Sequence, residues 1–211
     1  YGYKIAFQKF VPAKGFFAPQ TWKGFYYFNF ILKNSDFKNA FVNTLIISFS
    51  KLIFMALAAI LFSLLLNEVR NMKLKRTIQT VVYFPHFLSW IIVYGVVFAM
   101  LSESRGLLNA LIKSISGSTI NFMSSTKWFR TLIVVSDLWK ETGWNAIVYL
   151  AAIIGIDMEL YDAARVDGCG RLRMILHVTL PGIRSVIVIM LLLKTGSILD
   201  AGFDQIYAMY N

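Results

Sequence analysis

Five charged side chains interrupt stretches that are otherwise strongly apolar: Lys51, the group Asp137, Lys140 and Glu141, and Lys194. Charges in such surroundings are costly in hydrocarbon and usually face a cavity or a partner group. Asp137 and Glu141 are four apart and share one helical face, and Asp137 with Lys140 has the spacing of an i,i+3 ion pair. In the same apolar stretches are rings and polar groups that suit the lining of a solute path: His86, Trp90, Tyr94, Asp137, Trp139, Trp144 and Asn145. Solute sites combine apolar and aromatic walls with a few placed polar groups. The same residues suit interhelical packing, interfacial anchoring and internal charge neutralisation, so composition alone leaves both roles open. His86 follows Pro85 and suits a helix cap equally well.

Enzyme chemistry finds no support. The sequence has no G-x-x-x-x-G-K-[ST], H-E-x-x-H, C-x-x-C or G-x-S-x-G. The two histidines, His86 and His177, lie in different segments and form no ligand set, so no metal site is expected. The single cysteine, Cys169, lies between two glycines and reads as a small packing residue.

The elements that must position these groups are membrane helices. Of 211 residues 57% are hydrophobic and 15% charged, against about 45–50% and 25% in soluble domains. The expected fold is an all-α, polytopic transmembrane bundle forming one domain over residues 1–211. A span needs about 20 apolar residues, and four segments qualify, at about 40–66, 78–101, 131–156 and 183–203. Pro85 is expected to kink the second or mark its first turn. The third is weakened by its polar middle. Residues 1–39, rich in Phe, Tyr and Trp, suit a membrane interface.

The formal net charge is +10. It suits basic residues at helix ends against anionic lipid better than nucleic acid, because no basic run interleaves with exposed aromatics. The loop at 67–77 is short and basic, which places it in the cytoplasm and puts 102–130 outside and 157–182 inside. The inside loops with Arg184 hold eight Lys and Arg and the longer outside segments ten, so only their density favours this orientation.

The most specific segment is Glu159-Leu-Tyr-Asp-Ala-Ala-Arg-Val-Asp-Gly168, followed by Thr179-Leu-Pro-Gly182. It reads as two short helices, Glu159–Asp167 and Arg171–Thr179, turned at Gly168 and Gly170, with Pro181 in the first turn of the fourth span. Ala163 and Ala164 would let a partner surface approach, and Leu160 and Tyr161 offer apolar anchors.

This segment resembles the EAA motif of binding-protein-dependent ABC importer permeases, E-A-A-x-x-D-G-A and then I-x-L-P. Asp162, Ala163, Ala164, Asp167, Gly168, Val178, Leu180 and Pro181 occupy motif positions. Asp162 stands where the family usually has Glu, and Cys169 where it usually has Ala; both changes are conservative in charge or size. Phe41-Val-Asn-Thr-Leu, Leu64-Leu-Leu-Asn-Glu-Val-Arg, Tyr83-Phe-Pro-His-Phe-Leu-Ser-Trp90 and Ala201-Gly-Phe-Asp-Gln-Ile resemble the carbohydrate-uptake branch, and within it permeases for oligo- and polysaccharides.

The resemblance implies a type I ABC importer permease core of six spans. The four here would be the second to fifth, and the 211 residues an excerpt of a longer chain. It implies a bacterial plasma (inner) membrane protein that pairs with a second permease, identical or homologous. Two ATPase subunits would bind ATP and Mg, and an extracytoplasmic binding protein would deliver an oligosaccharide. The chain itself would bind no cofactor. Tyr161, Asp162, Ala163, Ala164, Asp167, Gly168 and Pro181 would couple it to the ATPase. The alternative is an ion-coupled secondary transporter or channel, which calls for a broken helix or paired acids near mid-bilayer. The Asp137–Glu141 pair suggests this weakly and the coupling loop argues against it.

Overall fold

The computed structural model describes residues 2–15 and 17–209, helical almost throughout. It divides into two units, Tyr1–Leu45 and Ile46–Asn211. Tyr1, Phe16, Tyr210 and Asn211 lie outside the description.

In the first unit, α1 (Gly2–Ile5) leads into a small antiparallel ribbon, β1 (Gln8–Lys9) with β2 (Thr21–Trp22), Gln8 opposite Trp22. The Gln20 amide closes the intervening loop, accepting from the Val11 N–H and donating to the Gly15 carbonyl. Phe7 stacks on Trp22 and meets Phe25 edge-on. Helix α2 (Tyr26–Lys33) follows. Asn34 then caps the long helix α3 (Ser35–Glu68), its side chain accepting from the backbone N–H groups of Asp36 and Phe37.

In the second unit the expected second span is not one helix. Asn71 caps α4 (Met72–Tyr83), which tightens into a 3₁₀ turn at Phe84–Phe87, and the chain is extended at Leu88 and Ser89. Ser89 caps α5 (Trp90–Leu101), which leaves at 107° to the first part. Pro85 starts the 3₁₀ turn, and the bend comes three residues later, where the backbone is extended. Helix α6 (Leu107–Ser116) folds back on α5, and α7 (Thr126–Ile154) starts and ends earlier than the 131–156 expected from hydropathy.

The coupling segment also differs from expectation. Helix α8 (Met158–Val166) is separate, but α9 (Arg171–Met174) runs through a π turn at Ile175–Thr179 into α10 (Leu180–Thr195). What the sequence suggested as a second short helix is the start of one 25-residue spanning helix. The proline explains the π turn. Its ring clashes with the carbonyl four residues back and it has no N–H to give, and a wider i→i+5 turn just before Pro181 relieves both. At its far end the span stops at Thr195 instead of reaching 203. A turn region follows, with Ala201 and Gly202 both at positive φ, and then α11 (Phe203–Met209).

By length and composition, Ser35–Glu68 and Arg171–Thr195 can cross a membrane, with the bent α4–α5 pair as a third. Helix α7 is long enough but polar at its middle. Two small cores hold the second unit together. Ile47, Val93, Ile133 and Met209 form one; Ala59, Ala146 and Tyr149 form the other, with Val186, Ile187 and Met190 of α10 against it. The outward faces of α3 and α10 are aliphatic and exposed, for example Leu65 at 69% and Leu193 at 70%, as lipid-facing surfaces require.

The close approach of α7 to α4 depends on Gly143. A Cβ there would lie under 3.0 Å from the Val82 carbonyl group of α4, and small residues at such crossings let membrane helices touch backbone to backbone. Gly143→Val is therefore expected to cost about 1–3 kcal/mol through overpacking, read as a lower thermal unfolding midpoint of the detergent-solubilised complex, whereas the same change at the open position Gly95 should leave the midpoint near wild type.

Candidate functional site

Two helix breaks leave backbone carbonyls without helical partners inside the bundle. Where no water is at hand such groups must be satisfied by protein, and two lysines do this. Lys140, on α7 and 6% exposed, donates to the His86 carbonyl at 2.6 Å, just before the α4–α5 bend. Lys51, on α3, donates to the Ala201 carbonyl at 3.0 Å in the break after α10, and to Gln205 Oε1.

Each ammonium is neutralised by a carboxylate of α7. Lys51 Nζ is 3.4 Å from Asp137 Oδ1, and Lys140 Nζ is 2.8 Å from Glu141 Oε1. Glu141 Oε2 also meets His86 Nδ1 at 2.7 Å. The i,i+3 pairing of Asp137 with Lys140 suggested by spacing is not adopted, because each lysine turns toward a carbonyl on another element. Gln205 completes the network. It is fully buried, and its Nε2 donates to the Ile133 carbonyl at 2.7 Å and to Ser136 Oγ at 2.9 Å.

This network forms part of the wall of a cavity of about 270 Å³ between α3, α7 and α10. Lys51, Trp90, Asp137, Glu141, Asn145 and Lys194 are on its lining. Three of the seven candidate path residues therefore reach it: Trp90, Asp137 and Asn145. His86 is one bond behind the wall, held by Glu141. Trp144 stacks on the His86 ring, centroids 4.3 Å apart and planes 3° from parallel, and is itself off the lining. Trp139 is half exposed. It lies about 200° around α7 from Asp137, on the opposite face. Tyr94 packs on the Ile47–Val93–Ile133 core, because the bend carries α5 away from the cavity after Trp90. Sequence reasoning missed Gln205 as the hub. It lies in the Ala201–Ile206 run that carried part of the resemblance, but nothing in that run says that its amide turns back on α7.

The second candidate site is the loop helix α8. Asp157 caps it, accepting from the Glu159 N–H at 3.0 Å. Its C-terminus closes as a Schellman turn: the Cys169 N–H reaches the Ala164 carbonyl at 2.9 Å, and the Gly168 N–H reaches Arg165. Gly168 is the left-handed residue, at φ +73°, which is why glycine follows Asp167 here. Gly170 is extended and starts the next helix, so it takes no part in the reversal. Asp162 and Arg165 pair at 2.6 Å on the exposed face. Ala163 is exposed, but Ala164 is buried against its own chain, so only the first can meet a partner. Tyr161 is less an anchor for a partner than a tether: its hydroxyl bonds Thr179 Oγ1 at 3.0 Å, fixing α8 to the π turn two residues before Pro181. Leu160 remains exposed.

A helical bundle with a polar cavity between its spans and an exposed, capped helix in one loop is the build of a polytopic membrane protein. Residues 57–202 match the family of binding-protein-dependent transport system inner membrane components, and the chain belongs to that family. It is 45% identical over its whole length to protein LplB of Bacillus subtilis and 42% identical to the polygalacturonan/rhamnogalacturonan transport system permease protein YteP of the same organism. It covers 66% and 65% of those two proteins, about two thirds of their length. Among solved structures, a bacterial ABC transporter involved in the import of the acidic polysaccharide alginate superposes on the whole chain with a TM-score of 0.89 at 38% identity, covering 70% of that chain.

The Lys51–Asp137 pair yields a prediction for stability. Both side chains are largely buried, and removing one partner strands the other. Lys51→Met is expected to cost about 3 kcal/mol, and adding Asp137→Asn should recover a large part of it. Denaturant midpoints of the single and double variants give the coupling energy; simple additivity would mean that the pair contributes nothing.

Proposed function

We propose that this chain is part of the permease subunit of an ATP-driven importer, and that its cavity belongs to the path of an oligosaccharide. The observation that carries this reading is the build of α8. It is capped at both ends, exposes Leu160, Asp162 and Ala163, and is bonded through Tyr161 to the helix that runs on into the membrane. A push on α8 from a soluble subunit would therefore reach α10, and α10 lines the cavity through Lys194. ATP and Mg would be bound by two separate ATPase subunits. A second permease would complete the path, and an extracytoplasmic binding protein would deliver the solute. ATP would act by favouring one conformer of the assembly over another.

The cavity supplies what a saccharide needs: an indole face at Trp90, an amide at Asn145 and charged groups at its wall. Within saccharides we favour uronate-bearing chains, because an alginate importer and a polygalacturonan/rhamnogalacturonan permease are among the proteins it is similar to. Lys194, on the lining, offers a cation for their carboxylates, whereas Lys51 is already engaged by Asp137, Ala201 and Gln205. The bent α4–α5 pair is a feature that an ion-coupled transporter also calls for, but this chain's acids fit that reading less well. Asp137 and Glu141 are each held by a lysine, so neither is an uncompensated carboxylate of the kind that binds a coupling ion.

The test uses the full-length permease reconstituted with its ATPase subunits and binding protein. Gly168→Pro removes the left-handed turn, since proline is fixed near φ −65°, and Asp162→Lys reverses the charge of the exposed face. Both are expected to weaken ATPase retention about tenfold or more, equivalent to about 1.4 kcal/mol, and to abolish ATP hydrolysis stimulated by uronate oligomers. Uptake that continues in these variants without ATP would overturn the coupling role and favour an ion-coupled carrier.

A further inference from the structure

Helix α6 plays no part in either site, yet it is one of the most firmly built parts of the loop at 102–125. Asn109, 1% exposed, makes four hydrogen bonds to backbone. The two N–H groups of its amide nitrogen are shared among the carbonyls of Leu101, Ser102 and Ile120, and its oxygen accepts from the Ile120 N–H at 2.8 Å. This one side chain joins the end of α5, the first turn of α6 and the segment that leads into α7.

The rest of α6 is divided by direction. Asn109 and Ile112 face the protein. Leu107, Leu111 and Ile115 are 65%, 61% and 87% exposed and fall within about 80° of one another around the helix. Lys113, also exposed, lies on the far side of Asn109 from this stripe. A helix with one flank on protein, one aliphatic and open, and one basic is suited to a boundary between oil and water.

Its depth can be placed as well. Ten residues make about 15 Å of helix, half of the hydrocarbon core of about 30 Å, so α6 cannot span. Helix α7 has 29 residues, about 44 Å, and must emerge from that core at its ends. Its first turns carry Lys127, Trp128 and Arg130, the basic and aromatic residues of a membrane boundary. Phe122 meets Trp128 edge-on at 5.3 Å, and Asn109 bonds Ile120 two residues earlier. Helix α6 is thus held at the level where α7 leaves the hydrocarbon.

We propose that α6 is an interfacial helix, with Leu107, Leu111 and Ile115 immersed in the lipid at the membrane surface and Lys113 turned to water and phospholipid phosphate. The aliphatic make-up of the stripe favours lipid over a protein partner. Protein contacts concentrate Trp, Tyr and Arg and satisfy polar groups across the interface, whereas this stripe offers neither ring nor hydrogen bond. Arg105 ahead of the stripe, Lys113 within α6 and Lys127 beyond it complement anionic headgroups.

The experiment places single cysteines in a background where every cysteine of the complex, Cys169 included, is changed to Ser: Leu107→Cys, Leu111→Cys, Ile115→Cys and, as the water-facing control, Lys113→Cys. Each is labelled with a small fluorophore in the full-length complex, in vesicles of phosphatidylethanolamine and phosphatidylglycerol. A nitroxide on the upper acyl chain is expected to remove most of the emission at the three stripe positions and little at position 113. Aqueous iodide should do the reverse. Iodide quenching of the stripe as strong as at 113 would put α6 in water and overturn the proposal. Protection from both quenchers would show a protein cover, and loss of lipid quenching only when the binding protein is added would show a docking surface; either result overturns it too.

Discussion

Backbone groups freed by a broken helix have to be bonded by something when no water is near, and this protein meets that demand with charge. The α4–α5 bend strands the carbonyl of His86, and the break after α10 strands that of Ala201. Lys140 and Lys51 occupy the two positions. An ammonium in such a place is tolerated only beside a counter-charge, and Asp137 and Glu141 supply it from successive turns of α7. The polar interior is therefore a consequence of the bends: four charges, a histidine and a buried glutamine hold non-helical backbone in a bundle that hydrophobic packing alone would straighten. The cavity lies beside this network, with Lys51, Asp137 and Glu141 on its wall.

Much of this was legible in the sequence because apolar runs and intramembrane charges are strong signals. The first span, the weak third span and the significance of Lys51, Asp137 and Lys194 all follow from the pattern of residues. The breaks were harder to see. Residues 78–101 are apolar on both sides of the bend, and hydropathy does not register an extended pair such as Leu88-Ser89. Residues 183–203 hide a break for the same reason, since Ala201 adopts a left-handed conformation that its residue type does not announce.

The candidate sites divide along the same line. The loop helix was readable because Gly168 stops it after Asp167; its cap, Asp157, one residue ahead of the helix start, came only with the structure. Which of two adjacent alanines turns inward depends on the docking of α8, which spacing does not give. In the cavity, three of seven candidates were placed on the wall. Trp139 and Tyr94 failed for geometric reasons, one on the far face of α7 and the other beyond a bend. Pairing by i,i+3 spacing failed at Asp137 because a cross-helix partner competed and won.

The π turn at Ile175–Thr179 has a consequence for the phase of the molecule. It holds one residue more than a regular turn would need. Everything on its N-terminal side is consequently rotated about 100° relative to an uninterrupted α-helix. The segment from Arg171 back to α8 inherits that offset. The side of the bundle on which the loop helix emerges is thus set by a single additional residue, retained because a proline follows it. A lineage that lost both together would keep the span and every hydrophobic contact beyond it, and would point its loop helix in another direction.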